Sequence, residues 1–200
     1  MTRSLRELLE HEEVREVAAI RGPLGLMALH GGIEPPTFRI ARKVADSVGA
    51  SLYAVVQPGH RDKEGHLTSI LYDRAESPTL DAFLGRVRVV LSVHGMNRRD
   101  MNDQVALGGS NRPFATRLGR AMRVAGLEVV DDLDLIPRYL RGAHRDNPVN
   151  IPPHGGVQIE IGRDLRRDAG KVSDLTEAMT EAARTHEAGP VIPGNGQVGT

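Results

Sequence analysis

The chain has 200 residues, the size of one domain able to bury a core without help from a disulfide or a metal. Lys plus Arg and Asp plus Glu number 26 each, so the formal charge is zero; with only 3% aromatic residues, both a basic nucleic-acid face and a base-stacking surface are disfavoured. With no cysteine, disulfide scaffolds, thiolate metal sites, iron–sulfur clusters and cysteine nucleophiles are excluded.

The first turns carry Arg6, Glu7 and Glu10 and no apolar stretch, so they do not read as a secretory signal. No run approaches the roughly 18 apolar residues of a membrane span. The expectation is a cytoplasmic protein without membrane contact, or one released by lysis if a phage encodes it. Residues 4–18 set Leu5, Leu8, Leu9, Val14 and Val17 at about helical spacing, which predicts an amphipathic helix. The apolar run 24–29 predicts a buried strand ending at His30-Gly31-Gly32. Residues 37–48 read as a helix with Phe38, Ile40, Ala41, Val44 and Ala45 on its apolar side, opened by Pro36 and stopped by Gly49. A strand over 51–56 and a polar loop over 57–65 follow.

Residues 86–93 predict a strand that ends at His94-Gly95, and 104–107 a short one closed by Gly108-Gly109. Residues 113–125 form the clearest helix, with Phe114, Leu118, Ala121 and Met122 on one side and Gly126 after it. A strand over 127–130, an irregular stretch over 141–156, a strand over 157–161 and a helix over 171–185 complete the order. The expected organisation is a single domain over 1–187 and a flexible Gly- and Pro-rich tail over 188–200.

Strands alternating with helices imply an α/β fold, a mixed or mostly parallel sheet flanked by helices. In such folds the reactive side chains gather where strands end, at the carboxyl edge of the sheet. Three apolar strands here end in or carry an ionisable side chain: His30, His94 and Glu160. His30 and Glu34 are joined by Gly31-Gly32-Ile33, and glycines let such a loop curl tightly. Two imidazoles and a carboxylate, with water in the open position, are a standard catalytic zinc set. A second carboxylate outside the set serves as general base, and Glu160 inside Val-Gln-Ile-Glu-Ile is poorly explained by surface solvation. Each residue taken singly also fits a structural use: His30 and His94 as hydrogen-bonded core residues, Glu34 as a loop acid, Glu160 on a half-exposed strand.

The ordered string His30-Gly-Gly-Ile-Glu34-Pro-Pro-Thr37, Leu52-Tyr53, His66-Leu-Thr-Ser69, Ser92-Val-His94-Gly95, Gly108-Gly109, Asn150-Ile151 and Gly155-Gly-Val-Gln-Ile-Glu160 resembles the poly-γ-glutamate hydrolase family. Some members of that family are labelled phage-related replication proteins. The resemblance runs from about Ser4 to Arg166 and lies in the order and spacing of the motifs together. It implies a zinc-dependent hydrolase of γ-glutamyl amide bonds with a zinc-carboxypeptidase-like, phosphorylase/hydrolase-like fold. By the family pattern His30, Glu34 and His94 would ligate Zn2+, Glu160 would be the base, and His66 would shape the pocket or serve structure.

Two departures from the pattern stand out. The family reads His-Gly-Gly-Gly-Ile-Glu, and this chain lacks one glycine, so Glu34 must be brought in by a shorter loop. The family often carries Arg after its Asn-Ile, where this chain has Pro152-Pro153-His154; Arg112 or Arg145 is the candidate replacement for binding a substrate carboxylate. The expected partner is a small-molecule or polymeric γ-glutamyl substrate, with no nucleic acid, no membrane and no expectation for oligomeric state. Two alternatives stay open: an amidohydrolase of a small N-acyl or γ-glutamyl compound, and a non-catalytic relative that binds an anion at its glycine loops.

Overall fold

The computed structural model describes residues 4–59 and 66–187. Much of the predicted loop over 57–65 and the whole tail over 188–200 lie outside the described residues. The strands are β1 (Arg15–Ala19), β2 (Leu24–Gly31), β3 (Ser51–Val56), β4 (Val89–Gly95), β5 (Gln104–Leu107), β6 (Glu128–Val130) and β7 (Gly156–Ile161). They form one sheet in the order β1-β3-β2-β4-β7-β5-β6. β3, β2, β4 and β7 are parallel neighbours; β1 runs antiparallel beside β3, and β5 antiparallel beside β7 with β6 parallel to it. This is the expected mixed sheet flanked by helices.

The central strands are apolar almost throughout because both their faces are covered. Every residue of β2 is buried. On one face lie α2 (Thr37–Val48), α4 (Arg112–Val124) and α6 (Ala169–Glu187), which pack Ile40, Val44, Phe114, Leu118, Leu175 and Met179 against the sheet. On the other lie α1 (Leu5–Leu9) and α3 (Pro78–Arg86), with Leu5, Leu8, Leu80 and Phe83 against Met27, Leu29, Tyr53 and Val90. Burying each large apolar side chain contributes about 1.5–3 kcal/mol, so these two clusters hold the layers together. The short helix α5 (Arg163–Arg167) leaves the end of β7 directly. Among the described residues no helix is long and apolar enough to cross a membrane.

Three expectations are corrected. The helix predicted over 4–18 is a single turn, α1, followed by exposed Glu10, His11, Glu12 and Glu13 and then the edge strand β1. Val17 at helical spacing from Val14 is equally usable in an extended segment, and the open edge of β3 decides for strand by pairing Val17 with Ala54. The strand predicted from residue 86 starts at Val89, because α3 occupies the chain up to Arg86. Its start was written in the sequence: Ser77 caps the Leu80 amide and Pro78 takes the first turn. The last helix is longer than 171–185, running over Ala169–Glu187 with α5 before it.

Candidate functional site

Strand geometry puts the three predicted residues on one face. Along β4, Val90, Ser92 and His94 alternate toward the α3 side, and in the parallel pairing Ser92 lies opposite Gln158 and His94 opposite Glu160. Their backbones are therefore about 5 Å apart and their side chains emerge side by side. His30 would point the other way in an unbroken β2. However, Ala28 pairs with Ala54 and Gly31 with Val56, so three steps of β2 span two of β3. That bulge turns His30 onto the face of His94, where it meets Leu67 and Tyr72.

The short glycine loop still closes. The Glu34 amide donates to the His30 carbonyl at 3.0 Å, one turn apart. Gly32 sits at φ 91° with its Cα against the Gln57 carbonyl; a Cβ there would lie 1.9 Å from that oxygen, so only glycine fits. As a result Glu34 Oε1 lies 2.9 Å from His30 Nδ1, and Oε2 accepts the Gly95 N–H at 2.8 Å. His94 Nδ1 is 3.3 Å from His30 Nδ1 and 3.8 Å from Glu34 Oε2. The far nitrogens are anchored: His30 Nε2 donates to the Leu67 carbonyl at 2.8 Å, and His94 Nε2 is 2.8 Å from Ser92 Oγ. His66 stands at the open side, its ring 4.4 Å from that of His30, its Nε2 3.7 Å from Glu34 Oε1 and its side chain 47% exposed. Donor atoms of His30, Glu34 and His66 lie within 4.8 Å of one another, close enough for the cluster to hold a metal ion.

These contacts set the charges. Burial alone would push His30 down, but the Glu34 carboxylate beside it wins and raises it. Burial would raise Glu34, but His30, His66 and His94 outweigh it and hold the carboxyl well below the usual range. His94 is pushed down to about 3, first by burial and then by the positive charge of His30. Because the Leu67 carbonyl can only accept, Nε2 of His30 keeps its hydrogen, and Nδ1 faces both a carboxylate and the Nδ1 of a neutral His94. The two Nδ1 atoms and the Glu34 carboxylate thus meet at one place, an arrangement that a second proton on His30 or a cation would satisfy.

Glu160 is buried, and its pKa is pushed up to about 8, first by burial and then by Glu34. Gln158 Nε2 donates to its Oε1 at 2.8 Å, and Asn147 Nδ2 donates to Gln158 Oε1 at 2.9 Å. The amides fix the carboxyl and stabilise its ionised form. A cleft of about 530 Å³ opens beside this cluster, walled by Glu34, His66, Gly95 and the arginines of α5. A groove of about 570 Å³ between α4 and α6 shares none of these residues.

The structure brings together His30, Glu34, His94, Glu160 and His66 but leaves the two other predicted arginines outside. Arg112 donates to the backbone carbonyls of Leu107, Gly109 and Asp131, bracing the turn before α4. Arg145 is 92% exposed, 3.5 Å from Asp146 Oδ1. Neither lines the cleft. The arginines that do line it are Arg163, Arg166 and Arg167 of α5, which the sequence does not single out because basic residues in a short helix look like any solvated ones. Gln158 was missed although it sits two residues before Glu160 on the same strand face.

The model of the poly-gamma-glutamate hydrolase family matches residues 3–187. The chain belongs to that family. As a family member it is a hydrolase of amide bonds. None of the curated proteins matches the sequence closely enough to count as a relative. Among solved structures it is similar to a bacteriophage poly-gamma-glutamate hydrolase, with a TM-score of 0.76 and 23% identity over 88% of this chain and 90% of that one. It is also similar to the zinc-free apo form of YNDL, with a TM-score of 0.74 and 22% identity over 92% and 96%. A putative carboxypeptidase from Burkholderia mallei matches with a TM-score of 0.55 and 11% identity over 90% and 65%. At these identities the likenesses speak to the fold, which this family member shares with both hydrolase types.

Proposed function

We propose that this family member cleaves γ-glutamyl amide bonds of poly-γ-glutamate, with zinc held by His30, Glu34 and His94 and with Glu160 as general base. The observation that carries the reading is the meeting of two inward Nδ1 atoms with a carboxylate, each imidazole being pinned from behind by a protein oxygen. Such backing is the usual second shell of histidine ligands. Zn–N bonds of about 2.0–2.1 Å in a tetrahedron place two nitrogens roughly 3.3 Å apart. That spacing agrees with the 3.3 Å between the two Nδ1 atoms, so the residues fit the ion. His66 in place of His94 is a second reading, favoured by the compact His30, Glu34 and His66 donor set.

Zinc bound there would polarise the scissile carbonyl and lower the pKa of its water. The remaining work belongs to the chain. Glu160, aimed by Gln158, takes the proton of the attacking water and delivers it to the departing amine. A value near 8 keeps Glu160 protonated at neutral pH when no cation is near, and a divalent charge on the neighbouring ligands draws it down into the range of a useful base. Buried Ser92 and Tyr72 keep the inner side of the site dry, so the reaction faces water only through the cleft. Incubation of the zinc-supplemented protein with poly-γ-glutamate is expected to shorten the polymer, read by size-exclusion chromatography. Cleavage of small N-acyl amino acids with the polymer left intact would remove the polymer from the reading.

The protein held in chelator carries a pH signature. Raised His30 and lowered His94 act in opposite directions around pH 6.5, while folded Glu160 keeps a proton until about 8 that the unfolded chain loses around 4.5. Over pH 6.5–8 the native state therefore binds more protons than the unfolded state, and stability falls as pH rises. For Glu160 the loss is on the order of 2 kcal/mol, or about 4–8 °C in Tm. Added zinc takes the place of the protons and flattens the fall. Equal slopes of Tm against pH with chelator and with zinc would count against a cation site at these residues.

A further inference from the structure

The cleft carries charge that hydrolysis itself does not use. Arg163, Arg166 and Arg167 leave the five-residue helix α5 at positions i, i+3 and i+4, on one side of it, and all three line the cleft next to Glu34 and Gly95. Arg166 is fixed. Its Nε donates to the Ile161 carbonyl at 3.1 Å, its Nη1 to Pro35 at 2.9 Å and its Nη2 to Met96 at 3.2 Å. It lies so close over Gly95 that a Cβ there would be 2.6 Å from its Cζ. Arg163 and Arg167 are exposed, and neither side chain has a hydrogen bond or an acidic partner among the described residues. Three like charges on one short helix repel one another, in a chain whose net charge is zero. An anion in the cleft would relieve that repulsion.

We propose that Arg163 and Arg167 determine specificity by binding the free carboxylates of successive units of a γ-linked anionic chain, held in the cleft to one side of the scissile bond. The assignment rests on the hydrolase reading above. Each γ-linked glutamate contributes five backbone bonds, so its free carboxylates recur about every 6 Å. Residues four apart on a helix face are spaced by about 6 Å as well. In α-linked polyglutamate the same-side carboxylates recur about every 6.8 Å, but each sits at the end of a flexible two-methylene arm instead of directly on the backbone, so holding two of them on the arginines costs side-chain freedom that the γ-linked chain does not lose. Charge-assisted pairs at an exposed wall give modest affinity per contact, which suits a polymer that must be released and bound again.

The test is calorimetric binding of defined-length poly-γ-glutamate to the Glu160→Gln protein at low salt, which separates binding from turnover. Arg163→Gln and Arg167→Gln are each expected to weaken binding about fivefold, and the pair about twentyfold. Arg120→Gln on α4 removes the same charge away from the cleft and is expected to change nothing. The α-linked polymer of equal length is expected to bind at least ~fivefold more weakly than the γ-linked one. Undiminished binding by the double variant, or equal binding of the two polymers, overturns the assignment whether or not wild type cuts the polymer. Loss of binding in the double variant while wild type leaves the polymer intact keeps the assignment and removes the hydrolytic reading instead.

Discussion

Glu160→Gln is expected to lower turnover about a thousandfold while leaving bound zinc at its wild-type stoichiometry. The reason is geometric. Glu160 stands beside His94 in the strand register but belongs to β7, whereas the proposed ligand atoms come from β2, the loop behind it and β4. Glutamine keeps the size of the side chain and keeps an oxygen able to accept from Gln158 Nε2. Fold and metal centre should therefore survive, and what is lost is the one carboxylate free to carry a proton. Metal content by mass spectrometry and kcat on poly-γ-glutamate, measured on the same sample, check both halves. Turnover within a few-fold of wild type would take Glu160 out of the mechanism; loss of the metal along with turnover would make it a ligand instead.

His94→Ala should empty the centre. The substitution removes one of two buried nitrogens and leaves Ser92 Oγ without its 2.8 Å partner. Changes in the shell behind a ligand already cost 10–100-fold in metal affinity, so deleting a ligand is expected to cost more than ~100-fold and to bring turnover down to background. His66→Ala is expected to retain the metal, because that side chain is half exposed and its Nε2 stands 3.7 Å from Glu34 Oε1. Isothermal titration of zinc into the two chelator-stripped variants decides between them. The opposite pattern, metal lost from His66→Ala and kept in His94→Ala, would transfer the third ligand position to His66.

How far the sequence could be read depended on the kind of information each feature needs. Helices with a broad apolar side and a glycine stop, such as α2 and its Gly49 in the left-handed conformation, were legible because the signal is local. The segment 4–18 was misread because its apolar spacing suits both a helix and a strand; the choice was made by an open sheet edge far along the chain. In the site, His30, His94 and Glu160 were visible as ionisable residues at the ends of apolar strands. The bulge that rotates His30 was not, since it exists only against β3. The same holds for the arginines: Arg112 and Arg145 stand near the motifs in sequence yet do not line the cleft, while Arg166 does and reaches Pro35 across 131 positions of chain.

The residues alone determined the chemistry available here: imidazole and carboxylate donors without thiols, glycines where a loop must fold tightly, and enough alternating apolar segments for a sheet between helices. These follow from side-chain type and from patterns a few residues long. Tertiary structure decided which donors meet, which carboxyl is buried and raised in pKa, and which arginines face the cleft. Those properties depend on distance and desolvation between groups far apart along the chain, and they come into being only when the parallel strands align their carboxyl ends at a common edge.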